Sequence, residues 1–145
     1  MSIDLELASQ VQQSIKQQNV PEVCQIVEVL SESKHKHQRI LFVTYSEFAI
    51  YEWHNDSIVL KVKYPLHSIT QISSIEIKNK ITFDFESEQI EIIAKNSVQI
   101  GYRVLNILCT LYNINELPQL QNLQPIGFWP DPALRFSLTK QITPE

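Results

Sequence analysis

The run Lys34-His35-Lys36-His37-Gln38-Arg39 concentrates ammonium, imidazole and guanidinium groups in six consecutive positions. Such groups take the oxygens of phosphates and carboxylates, and either imidazole adds charge below about pH 6.5. The same run also fits a solvated loop, where charge is expected without any ligand. Lys61 with Lys63, and Lys78 with Lys80, stand two positions apart. On an extended strand that spacing puts each pair on one face. They either extend a positive surface or guard strand edges against aggregation. The candidate lipid- or anion-binding set is Lys34, Lys36, Arg39, Lys61 and Lys63. Phe128 and Trp129, in Gly127-Phe128-Trp129-Pro130, are candidate protein-interaction residues. Two large aromatics in an irregular segment need burial against this chain or against a partner.

Other chemistry has no support. With only two glycines, Gly101 and Gly127, there is no glycine-rich phosphate loop. Cys24 and Cys109 lie apart from any metal-ligand spacing, so no metal and no cofactor are expected, and both read as buried thiols. No nucleophile, base and acid stand in an arrangement that marks an enzyme, and the expectation is a non-enzymatic protein. The net charge of −4 argues against general nucleic-acid binding, which needs a basic face to displace counterions. No apolar run is long enough to span a bilayer. The start, Met1-Ser2-Ile3-Asp4-Leu5-Glu6, lacks a signal peptide's basic end and the glycine of an N-myristoyl site. The expected location is the cytoplasm, with peripheral attachment to the plasma membrane.

The elements that must position these residues follow from hydrophobic period. Residues 1–20 read as an N-terminal helix with Ser2 as N-cap, acidic residues in its first turn, and a face of Leu7, Val11 and Ile15. Residues 21–115 form the main domain. Its strands are expected at 22–30, 39–44, 47–53, 58–64, 69–77, 81–86 and 89–94, with the basic run in the first connection. Ile58, Leu60, Val62 and Tyr64 alternate with Val59, Lys61 and Lys63, as do Ile81, Phe83 and Phe85 with Thr82 and Asp84. Asn55-Asp56 and Glu86-Ser87-Glu88 read as hairpin turns. Asn96 with Gln99 resembles a capping box and opens a helix to about Asn113. That helix is apolar nearly all round, so it is expected to pack on the N-terminal helix or the tail as well as on the sheet. Residues 116–145 are an apolar, Pro-rich tail or linker.

The architecture expected is therefore mainly β: a bent seven-stranded barrel capped by a C-terminal helix, with an extra N-terminal helix and an irregular Pro-containing tail. Such a layout resembles the pleckstrin-homology superfold. Arg39-Ile40-Leu41-Phe42-Val43-Thr44-Tyr45-Ser46 followed by Phe48-Ala49-Ile50-Tyr51 resembles its second hairpin. Lys63-Tyr64-Pro65-Leu66-His67-Ser68-Ile69-Thr70-Gln71-Ile72 resembles the approach to its fifth strand. Within the superfold the whole-chain layout is most similar to the N-terminal domain of CARMIL-type leucine-rich-repeat actin regulators. That resemblance implies an adaptor that brings an actin-regulating scaffold to membranes, with an acidic membrane surface as a weak partner. The alternative is a protein-interaction module that binds a peptide beside the fifth strand or caps adjacent leucine-rich repeats. Lys36 and Arg39 would point to opposite faces of one strand, which departs from the phosphoinositide-binding pattern. Asp56, Glu86 and Glu88, expected at the same barrel end, would offset the basic residues.

Overall fold

The computed structural model describes residues 3–16, 20–111, 126–127 and 135–139. A helix, α1 (Leu5–Ile15), is followed by seven strands: β1 (Val23–Leu30), β2 (Lys36–Val43), β3 (Glu47–His54), β4 (Ser57–Pro65), β5 (Ile69–Ile75), β6 (Lys80–Phe85) and β7 (Gln89–Ile93). A second helix, α2 (Ser97–Leu111), comes next, then two short strands, β8 (Ile126–Gly127) and β9 (Arg135–Thr139). All pairings among β1 to β7 are antiparallel, in the order β4-β3-β2-β1-β7-β6-β5. β9 then joins the far edge of β5 in parallel, and β8 pairs with β9.

The sheet bends around one core. Alternate residues of β1 to β3 and of β5 to β7 point into it, and α2 closes it with Ile100, Val104, Leu105, Ile107 and Leu108. Gly101 is also buried in this helix. Aromatic contacts tie the two halves of the sheet. Phe48 meets Phe83 and Phe85 at 4.9 and 5.2 Å between ring centroids, and Tyr64 stacks on Phe85 at 4.3 Å.

A second, smaller core lies on the outer face. Leu7, Ala8 and Val11 of α1 cover Cys24, Ile40, Phe42, Ala49 and Tyr51. This explains why β2 and β3 read as continuous apolar runs, since both of their faces are buried. The N-terminal helix therefore packs on the sheet; the other partner expected for the second face of α2, the tail, lies largely outside the described residues. α1 is also shorter than residues 1–20. Asp4, not Ser2, is its N-cap and accepts from the Leu7 amide at 3.1 Å. Lys16 ends it in the left-handed region, at φ 55°.

Two boundaries and one register differ from those expected. β2 starts at Lys36, because the ladder with β1 runs on to Leu30↔Lys36 beyond the apolar core. Only Ser31–His35 is connection, held by Ser31 accepting from the Lys34 amide and donating to the His35 carbonyl. β5 stops at Ile75, and Glu76–Lys78 form a turn of 3₁₀-helix, so Lys78 and Lys80 do not share a strand. In β4 the register skips Lys61, with Ile50 opposite Val62 and Tyr51 opposite Leu60. The Asn55-Asp56 hairpin turn is present, with φ of 51° and 68° suited to those two residue types. Among the described residues no helix is long and apolar enough to cross a membrane.

Candidate functional site: the open end of the barrel

A cavity of about 570 Å³ opens where the β1–β2 turn, the middle of β3 and β4, and the β6–β7 turn converge. Val29, Ile50, Val62 and Ile90 form its apolar wall. Lys34, His37, Arg39 and Lys61 bring cationic or protonatable groups to it, and Glu32, Glu88 and Glu91 bring carboxylates. Parity of the strand explains the choice from the basic run. His37 and Arg39 sit on the face of β2 shared with the core residues Leu41 and Val43, and Lys36 sits on the other.

The bulge does the same for β4. As the residue skipped by the register, Lys61 leans into the cavity, while Lys63 pairs with Glu47 at 3.2 Å, opposite the outer-face residue Ala49. The bulge also sends Ile58 to the outer core and Val62 to the inner one. Of the five candidate residues, the structure thus gathers Lys34, Arg39 and Lys61, and leaves Lys36 and Lys63 off the cavity.

Each gathered cation has a carboxylate. Glu52 forms ion pairs with Arg39 and with Lys61, both at 3.3 Å. Glu91 accepts from Lys34 at 2.7 Å and from Lys80 at 3.1 Å. The bond from the exposed Lys34 and the neighbouring Lys80 charge hold the Glu91 carboxyl below its ordinary range, against the opposing effect of burial. Tyr64 donates to Glu88 at the rim, and that bond together with burial raises the phenol. The charges lining the cavity therefore balance within it, and a phosphate would have to compete with fixed carboxylates for every cation.

Sequence reasoning missed Glu52 and Glu91, which decide the electrostatics. Their signal was present only as acidic residues alternating within β3 and β7, and their partners are distant in sequence. Asp56, expected at this end, lies instead at a groove of about 450 Å³ with Gln10, Gln13, Ser14, Trp53 and Ile58. Phe128 and Trp129 lie outside the described residues.

Among solved structures, the N-terminal PH domain of human ARAP2 superposes with a TM-score of 0.51 at 14% identity, over 70% of this chain and 90% of that one. The match thus takes in nearly that whole domain. The fold is pleckstrin-homology-like. An activated truncation of Vav1 matches at 0.55 and 16% identity, over 77% of this PH-like chain and 30% of that chain. Autoinhibited Vav1 matches at 0.52 and 16%, and the PH-like chain spans only 20% of its length. At such identities the likeness is one of fold alone. No family profile and no curated protein matches the sequence.

Proposed function

We propose that this PH-like chain is a non-enzymatic adaptor whose open barrel end makes a weak, salt-sensitive contact with acidic membrane, unspecific for head group. The observation that carries the reading is the convergence of Lys34, Arg39 and Lys61 on one cavity. Lys36, exposed at the same hairpin, adds to the local field. The paired carboxylates make the contact weak, because a lipid phosphate gains only what Glu52 and Glu91 give up. The chain's layout supports a place in an actin-regulating leucine-rich-repeat scaffold, and the membrane contact would then serve to position it.

Co-sedimentation with vesicles of rising phosphatidylserine content, at low and physiological salt, tests this. Binding should follow lipid charge, fade with salt, and drop at least fivefold in Lys34→Glu, Arg39→Glu and Lys61→Glu chains. Lys63→Glu, on the opposite face, should change it less than twofold. Absence of binding at low salt, or equal losses in all four variants, would reject the site.

A second reading, a protein-interaction module, draws on one specific feature. Trp53, 42% exposed, lines the groove between α1 and the β3–β4 hairpin, and Leu60, 49% exposed, lies one pair further along that hairpin on the same face, opposite Tyr51. Large exposed apolar residues in one patch suit a protein contact. A blue shift of Trp53 emission in a Trp129→Phe chain, on addition of the adjoining repeat domain, would favour it. An unmoved spectrum would count against it.

A further inference from the structure

The groove between α1 and the β3–β4 hairpin is the electrostatic opposite of the cavity at the open end. Gln10, Gln13 and Ser14 of α1 form one wall, and Trp53, Asp56 and Ile58 of the hairpin form the other. Among the described residues, Asp56 carries the one charge in that lining. At the open end Glu52 and Glu91 each hold two cations, whereas no cation of the described residues pairs with Asp56. Nor does any side chain among them hydrogen-bond to the side chains of Gln10, Gln13 or Trp53. The groove thus presents a carboxylate, two amides and a 42% exposed indole, all without partners among the described side chains.

These groups are held in place before any partner arrives. Leu7 and Val11 seat α1 in the outer core, and Ile58 packs against the same core. The hairpin turn is closed by the His54↔Ser57 pair, with Asn55 and Asp56 both in the left-handed region. Leu60 stands one rung from the Trp53↔Ile58 pair on the same face. Two strand residues separate it from Ile58, a rise of about 7 Å.

We infer that this groove takes an arginine side chain from an extended segment of a protein partner. The assignment rests on the reading of the groove as a protein contact and names its chemistry. A guanidinium is planar, so it can lie on the Trp53 indole while its N–H groups donate to Asp56 and to the amide oxygens of Gln10 and Gln13. Lysine offers a compact charge without that plane. In an extended segment, residues two apart share a face and the same spacing, so an apolar side chain two positions from the arginine reaches Leu60. A phosphate-rich surface is disfavoured, because the described lining holds one anion and no cation. The chain's net charge of −4 favours the approach of a basic partner.

NMR titration of the full chain carrying Trp129→Phe, which leaves Trp53 as its single indole, tests this. The probes are acetyl-Leu-Gly-Arg-Gly-Leu-amide and the same peptide with citrulline, a neutral isostere, in place of arginine. The two flanking leucines allow either chain direction. The arginine peptide should shift the Trp53 indole N–H and the Gln10 and Gln13 side-chain amides saturably. Its affinity should exceed that of the citrulline peptide by about threefold or more, in keeping with exposed cation–π and ion-pair strengths. Asp56→Asn should abolish that preference. Asparagine suits the left-handed backbone at this position, so the variant removes the charge and keeps the turn. Equal affinity for the two peptides, no saturable shift, or a preference that survives Asp56→Asn overturns the assignment. The reading of the groove as a protein contact fails separately. If the adjoining repeat domain moves Trp53 and the arginine peptide does not, the contact stands and the arginine is refuted. If neither moves it, both are refuted.

Discussion

Gln25 and Asn96 hold each other through both ends of their amides. Gln25 Nε2 donates to Asn96 Oδ1 at 3.0 Å, and Asn96 Nδ2 donates to Gln25 Oε1 at 2.8 Å. The pair fixes β1 against the first residue before α2, and the Asn96 carbonyl accepts the first helical bond, from the Ile100 amide. The salt bridge between Glu22 and Arg103, at 2.7 Å, adds a second tie between the start of β1 and the same helix. We expect Gln25→Ala or Asn96→Ala to cost about 1–2 kcal/mol, since either leaves a half-buried amide without its partner. The double substitution should cost clearly less than the sum, by about 0.5 kcal/mol or more. Urea denaturation of the four chains measures the coupling, and strict additivity would mean that the pair contributes nothing as a pair.

Removing an acid should strengthen anion binding. Glu52→Gln leaves Arg39 and Lys61 without the carboxylate that now takes both. Affinity for phosphatidylserine vesicles should rise roughly two- to thirtyfold at low salt, a range set by two surface pairs of about 0.2–1 kcal/mol each. Stability should fall slightly, because two cations are left facing each other. An unchanged affinity would mean that the cavity cations do not meet the membrane.

The Glu91 clamp gives stability an acid limb. Its carboxyl is lowered first by the bond from Lys34, so its contribution is fully present above the ordinary glutamate range and is lost as pH falls through the lowered value. With Lys34 largely in solvent, that contribution is under about 1 kcal/mol. Thermal unfolding from pH 6 down to pH 3 should show a shallower decline in Glu91→Gln than in the wild type. Identical slopes would remove Glu91 as the source.

Cys24 should be chemically silent in the folded chain. Burial, with a smaller effect of the Asp4 charge, pushes its thiol up to about 12, and the residue is fully enclosed under α1. Iodoacetamide at pH 8 should label it at least a hundredfold more slowly than in urea, as read by peptide mass spectrometry. Because the folded thiol is raised, its stabilising effect is present below the ordinary thiol value and fades as pH climbs from there towards 12. Rapid labelling in native buffer would show that α1 opens readily from the sheet.

Much of this was legible in the sequence because the signals are local. Alternation in Ile81-Thr82-Phe83-Asp84-Phe85 marks β6, and Asn55-Asp56 marks a tight turn, without reference to anything distant. The bulge at Lys61 left no trace. Ile58, Leu60, Val62 and Tyr64 alternate without a break, and both sides of the sheet are apolar there, so a change of face costs no pattern. The place of α1 was hidden for a related reason, since Leu7, Val11 and Ile15 would suit any apolar surface. The unbroken runs Ile40–Val43 and Phe48–Tyr51 were the available sign that a second layer covers the outer face of the sheet. The site was legible only as a list of cations. Which of them meet depends on strand parity and on one skipped residue, and what neutralises them depends on Glu52 and Glu91, which long-range pairing supplies.

The parallel pairing of β5 with Arg135–Thr139 also sets an order of events during synthesis. The strand that accepts is made well before the strand that fills it. The roughly 60 residues from Ile75 to Arg135 take about 3–12 s at ~5–20 residues per second on the ribosome. Through that interval the nascent chain carries a complete strand with one bare edge, and chaperones or neighbouring nascent chains meet it in that state. Released protein never shows that edge unless β9 lets go, so birth is the moment when this surface is most open to company.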